Sequence, residues 1–134
     1  MAKVLFIIAA VLGLLGALAH EVLGAPMVLG PLSETDLPKD VIWLHHFSWH
    51  VGTIAVLSMV GLFLLAARRK DGWIFGAIAT ATSAGFAALG IGLAAFGDSV
   101  LWTTPAPYPW TLIAIIGTVS VVLSKRAQAA SESE

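Results

Sequence analysis

Apolar residues fall in four long runs separated by short polar blocks: Val4 to about Gly24, Val41 to Ala67, Trp73 to Phe96, and about Pro109 to Ser124. A helix rising 1.5 Å per residue needs about 20 apolar residues to cross a bilayer. The first three runs meet that length. The fourth is short, but Lys125 and Arg126 can snorkel, and the helix can continue through Ala127–Ala130 into water. The pattern predicts an all-α integral membrane protein, a compact up-down bundle of four transmembrane helices forming one domain over 1–134, with 125–134 as a solvated tail. The 25–40 and 97–108 segments read as loops, the first divided into turns by Pro26, Pro31 and Pro38.

Composition agrees. Of 134 residues, 58% are hydrophobic and 11% charged, where a soluble domain carries roughly 25% charged. A formal net charge of −1 offers no basic field for nucleic acid. There is no cysteine, which removes thiolate metal sites and iron–sulfur clusters. Lys3, the first apolar run and Ala17-Leu18-Ala19 imitate a signal peptide, but the run continues past that site to Leu23.

Charge placement sets an expected orientation. Arg68-Arg69-Lys70 links the second and third runs, Lys125-Arg126 follows the fourth, and Lys3 precedes the first. The 25–40 loop holds Glu34, Asp36 and Asp40 against Lys39, and the 97–108 loop only Asp98. By the positive-inside rule both termini are cytoplasmic and these two loops lie outside a plasma membrane, the inner membrane of a bacterium. Trp43, Trp102, Tyr108 and Trp110 then form the outer aromatic belt and Trp73 the inner one.

Small residues mark where helices approach closely in lipid. The expected rows are Ala9, Gly13 and Ala17 on the first span and Gly52, Ser58 and Gly61 on the second. The third offers either Ala77, Ala81 and Gly85 or Ala84, Ala88 and Gly92.

The candidate chemistry lies in Trp43-Leu-His45-His46-Phe-Ser-Trp49-His50, with His20 and Glu21 near the end of the first run. Ionisable groups inside a span are costly to keep and are functional candidates by default. The expected topology brings all four histidines and Glu21 to the outer leaflet. His46 lies about 7 Å and His50 about 13 Å along the second helix, with His20 close in depth to His46. His46 and His50, four residues apart, share one face with Trp43 and Thr53, whereas His45 and Trp49 lie about 100° round. The expected set is therefore His46 and His50 facing His20 or Glu21, with Asp98 in reserve. His50 is expected to point into the bundle, toward the first span.

Two kinds of function follow. In the first, His20, Glu21, His46 and His50 bind a transition metal ion (copper, zinc or iron), or His20 and one of His46 and His50 ligate a b-type haem. Gly13, Gly16 and Gly52 would then clear space and Trp43 and Trp49 would line the site, making a redox-associated protein. In the second, the chain is a cofactor-free accessory subunit of a larger membrane complex. Its histidine–glutamate cluster is then a polar, protonatable or quinone-facing pocket, bonded also to Ser48 and Thr53. Expected partners are the lipid bilayer and a membrane-protein partner or second copy. An independent enzyme is not expected, because no outward domain shapes a substrate pocket.

Overall fold

The computed structural model describes residues 1–132. It contains four long helices and no strand among the described residues: α1 (Ala2–Ser33), α2 (Lys39–Arg68), α3 (Trp73–Gly97) and α4 (Tyr108–Glu132). A single 3₁₀ turn, Ser99–Thr103, lies between α3 and α4. All four helices are long and apolar enough to span a membrane. Each packs on its neighbours in sequence, and α4 closes against α1, giving a ring of four.

The core consists of Phe6, Ala9, Ala10 and Ala17 of α1, Val56, Met59, Val60, Phe63, Ala66 and Ala67 of α2, Ala79 of α3 and Ile113 of α4. Phe6 and Phe63 meet at 6.3 Å between ring centroids. Gly76 lies against the Phe6 ring, where a Cβ would collide with it, so this glycine admits a large side chain between α1 and α3. Outside the core, Ile7, Val11, Leu14, Leu15 and Leu18 of α1 are exposed. An apolar exterior of this kind is rare on soluble monomers and is what lipid contact requires.

Three features differ from the sequence expectation. First, the 25–40 segment is mostly helix. A π-type turn over His20–Gly24, closed by the Ala25 N–H on the His20 carbonyl, leads directly into the Ala25–Ser33 part of α1. Proline ends a helix because its ring meets the carbonyl four residues back and its nitrogen donates nothing. The wider π turn loosens that constraint just before Pro26, so α1 passes the proline instead of stopping. Only residues 34–38 connect α1 to α2.

Second, α4 runs past Ala130, the end of its expected continuation, to Ser131 and Glu132; residues 133–134 lie outside the described residues. Third, the inward faces of α2 and α3 are not those marked by their small residues. The Ala9, Gly13 and Ala17 row of α1 is buried as expected. On α3, however, Gly76, Ala79, Ser83 and Ala87 face the core, while Ala81, Ala84, Gly85 and Ala88 are exposed. On α2 the packing face is Val56, Met59, Val60 and Phe63, with Ser58 and Gly61 exposed. The Ser83 hydroxyl donates to the Trp110 carbonyl at 2.9 Å, a polar clasp between α3 and α4.

Candidate polar site between α1 and α2

Glu21 continues the row Ala9, Gly13, Ala17 at four-residue spacing, so the face that packs on α2 ends in a carboxylate. On α2, Trp49, His50 and Thr53 are spaced one and four apart and meet it. The Thr53 hydroxyl donates to Glu21 Oε1. His50 Nδ1 lies 3.1 Å from the same oxygen, and His20 Nδ1 lies 2.9 Å from Thr53 Oγ1. His20 is 3.9 Å from Glu21 Oε1. Its ring stacks on Trp49 at 4.0 Å between centroids and 10° between planes.

Counting donors fixes the tautomers. Thr53 has one hydroxyl proton. With Glu21 ionised, that proton points to the carboxylate, so Thr53 Oγ1 accepts from His20 Nδ1–H. The carboxylate cannot donate, so His50 also carries its proton on Nδ1. Both neutral imidazoles therefore leave Nε2 as an unprotonated acceptor. The His50 side chain is 54% exposed and that of Glu21 31%, so the first opens to the surroundings while the second is half enclosed.

The remaining histidines stand apart. His46 Nε2 is 3.2 Å from Ser33 Oγ. Ser33 gives its own proton to the Leu29 carbonyl at 2.8 Å, so His46 is the Nε2–H tautomer, opposite to the other two. Trp43 packs on His46 with centroids 5.1 Å apart. The expected common depth of His20 and His46 thus gives way to His20 beside Thr53 and His46 beside Ser33, because α1 runs on past Gly24. His45 is exposed. Ser48 bonds the Leu44 carbonyl of its own helix at 2.8 Å, and Asp98 caps the Ser99–Thr103 turn through Val100 N at 2.9 Å.

Of the six residues singled out from sequence, His20, Glu21, Trp49 and His50 come together, and Trp43 and His46 form a second pair. Trp49, about 100° round the helix from His50, covers His20. Two contributors carried little signal in sequence. Ser33 lay in a presumed loop, and Gly24 admits the Trp49 indole, whose Cζ2 would be 2.9 Å from a Cβ at that position.

Among the described residues no three His, Asp or Glu side chains converge as a metal-binding group. His20 and His50 direct Nδ1 toward one hydroxyl–carboxylate pair, and His46 is held elsewhere. The glycines expected to clear space for haem are in part filled. A Cβ on Gly13 would lie 2.9 Å from Val60 Cγ2, and one on Gly16 3.7 Å from Trp110 Cη2. Comparison with family models, with curated proteins and with solved structures finds no match to this chain.

Proposed function

We propose that this is an accessory protein of a bacterial plasma membrane whose His20–Glu21–His50–Thr53 cluster takes up and releases protons at the outward side, without a bound cofactor. The basic 68–70 turn and the Lys125-Arg126 flank argue for that orientation. The observation that carries the reading is the convergence of Thr53 and His50 on one Glu21 oxygen, with His20 behind them and Nε2 of an exposed imidazole left free. Imidazoles titrate in the range where an outward-facing group meets changing pH. A protonated His50 would form an ion pair with Glu21 across the α1–α2 contact.

The same cluster argues against a conduction path. Beneath Glu21 the α1–α2 contact consists of Ala17, Gly13, Ala9, Val56, Met59 and Phe63, all apolar and buried. Protons therefore enter and leave from one side, which suits sensing rather than transport. A partner in a larger complex would read the change at the α1–α2 surface.

The test is ¹⁵N NMR of histidine-labelled protein in lipid nanodiscs. Neutral His20 and His50 are expected as Nδ1–H tautomers and His46 as Nε2–H, with Glu21→Gln moving the His50 Nδ1 resonance because it changes the acceptor 3.1 Å away. If Glu21→Gln leaves the His50 Nδ1 resonance unchanged, the proton-site reading fails. Zinc or copper added at one equivalent that shifts His20 and His50 Nε2 together would replace it with a metal site.

A further inference from the structure

The outer part of α1, Ala25–Ser33, packs on α2 and buries one side chain, Leu29. Its far end is held by the contact of Ser33 with His46 at 3.2 Å, and residues 34–38 join it to α2. At its near end stands the π turn His20–Gly24. Pro26 has no N–H to give the carbonyl of Val22 or Glu21, four and five residues back. Helices bend where a π turn or a proline interrupts the backbone ladder. Both interruptions fall here, between His20 and Pro26.

The polar site is built into that turn. His20 and Glu21 are its first two residues and Gly24 its last, and α2 holds each of them. His20 meets Thr53 at 2.9 Å and stacks on Trp49; Glu21 meets Thr53 and His50; Gly24 lies against the edge of the Trp49 indole. The joint between the inner and outer parts of α1 is therefore clamped by ionisable groups. Few others surround it. His20 and Glu21 come from α1 and His50 from α2. Across α3, and across α4 as far as Ser124, the only titratable side chain is Tyr108, whose hydroxyl donates to the Trp102 carbonyl at 2.8 Å.

We propose that Ala25–Ser33 is a strap hinged at the π turn, and that the charge on the Glu21–His50 contact sets its angle to the rest of α1. The device rests on the proton-site reading above and supplies its moving part. A carboxylate attracts a charged imidazole more strongly than a neutral one. A proton gained by His50 or His20 therefore tightens the clamp and holds the strap at the angle seen here. Without that proton the clamp is a hydrogen bond to a neutral ring, and the strap samples a second angle. The far end does not share this response. His46 donates Nε2–H to Ser33 whether its ring is neutral or charged, so that contact limits the swing without setting it.

The chain has no cysteine, so introduced cysteines carry spin labels only where they are placed. Gly30, where an added Cβ meets nothing within 4 Å, reports on the strap, and Leu112, 51% exposed, is a fixed point on α4. Gly30 lies about 9 Å past Gly24, so a bend of about 20° moves it by about 3 Å. Pulsed dipolar EPR of the whole chain in nanodiscs resolves that shift. Gly30→Cys with Leu112→Cys is expected to give one narrow distance at about pH 5 and a second, about 3 Å away, at about pH 8, the interval over which imidazoles ordinarily change charge. Glu21→Gln should show both distances at either pH, and His46→Ala should keep the pH response. Leu15→Cys with Leu112→Cys, on the inner side of the hinge, should not respond. Identical strap distances at the two pH values would overturn the proposal, as would a response that survives Glu21→Gln or that the Leu15 pair shares. Loss of the response in His46→Ala would move the switch to Ser33 and overturn the hinge. If the His50 Nδ1 resonance still answers to Glu21→Gln while the strap stays still, the strap alone is refuted and the proton site stands.

Discussion

Replacing Thr53 by valine removes a hydroxyl and leaves the side chain's shape, which isolates the centre of the polar site. That hydroxyl accepts from His20 at 2.9 Å and donates to Glu21, so two contacts between α1 and α2 are lost at once. Hydrogen bonds between membrane helices contribute about 0.6 kcal/mol on average and up to about 1.7. An ionised acceptor belongs in the upper part of that range. Glu21 is 31% exposed, so solvent screens it and the larger penalties of fully buried charges do not apply. The coupling between Thr53→Val and Glu21→Gln should therefore be about 1 kcal/mol. A double-mutant cycle measured by SDS-induced unfolding, read by tryptophan emission, gives that number directly. Additivity of the two substitutions within about 0.3 kcal/mol is the behaviour of independent sites, and would refute the Thr53–Glu21 contact.

Gly24→Ala places a Cβ 2.9 Å from Trp49 Cζ2 and 3.3 Å from Cη2. The indole is rigid and must move off His20, so the Trp49 indole N–H resonance should shift; an unmoved resonance would contradict the stacking. Ser83→Ala breaks the bond to the Trp110 carbonyl and should destabilise the α3–α4 contact by about 1 kcal/mol. Thr118→Ala, exposed and bonded only within its own helix, should change stability by less than about 0.5 kcal/mol in the same unfolding assay. Equal effects of the two would mean that Ser83 contributes no interhelical bond.

The candidate site was legible in sequence only in part. His20, Glu21 and His50 stood out because an ionisable side chain is conspicuous against an apolar run, and the four-residue row Ala9, Gly13, Ala17, Glu21 pointed the carboxylate at a helix contact. His46 was grouped with His50 by helical phase, yet it bonds Ser33. Phase along one helix says which residues share a face; it does not say how far the facing helix extends. The extension of α1 past Gly24 decided that, and it depends on a π turn that no residue pattern announces.

The sequence by itself determined four helices of spanning length and the collection of cations at one end of the bundle. Both follow from local quantities, the length of an apolar run and the positions of lysine and arginine, which need no partner to be defined. Only the tertiary structure decided which face of each helix is inside. In a soluble protein the burial of apolar faces writes a periodicity into the sequence. Here the exterior is as apolar as the core, so that signal is absent. Small residues occur on several faces of α3, and the choice of Gly76, Ala79 and Ser83 over Ala81, Ala84 and Gly85 rests on steric fit against Phe6, Phe63 and Trp110.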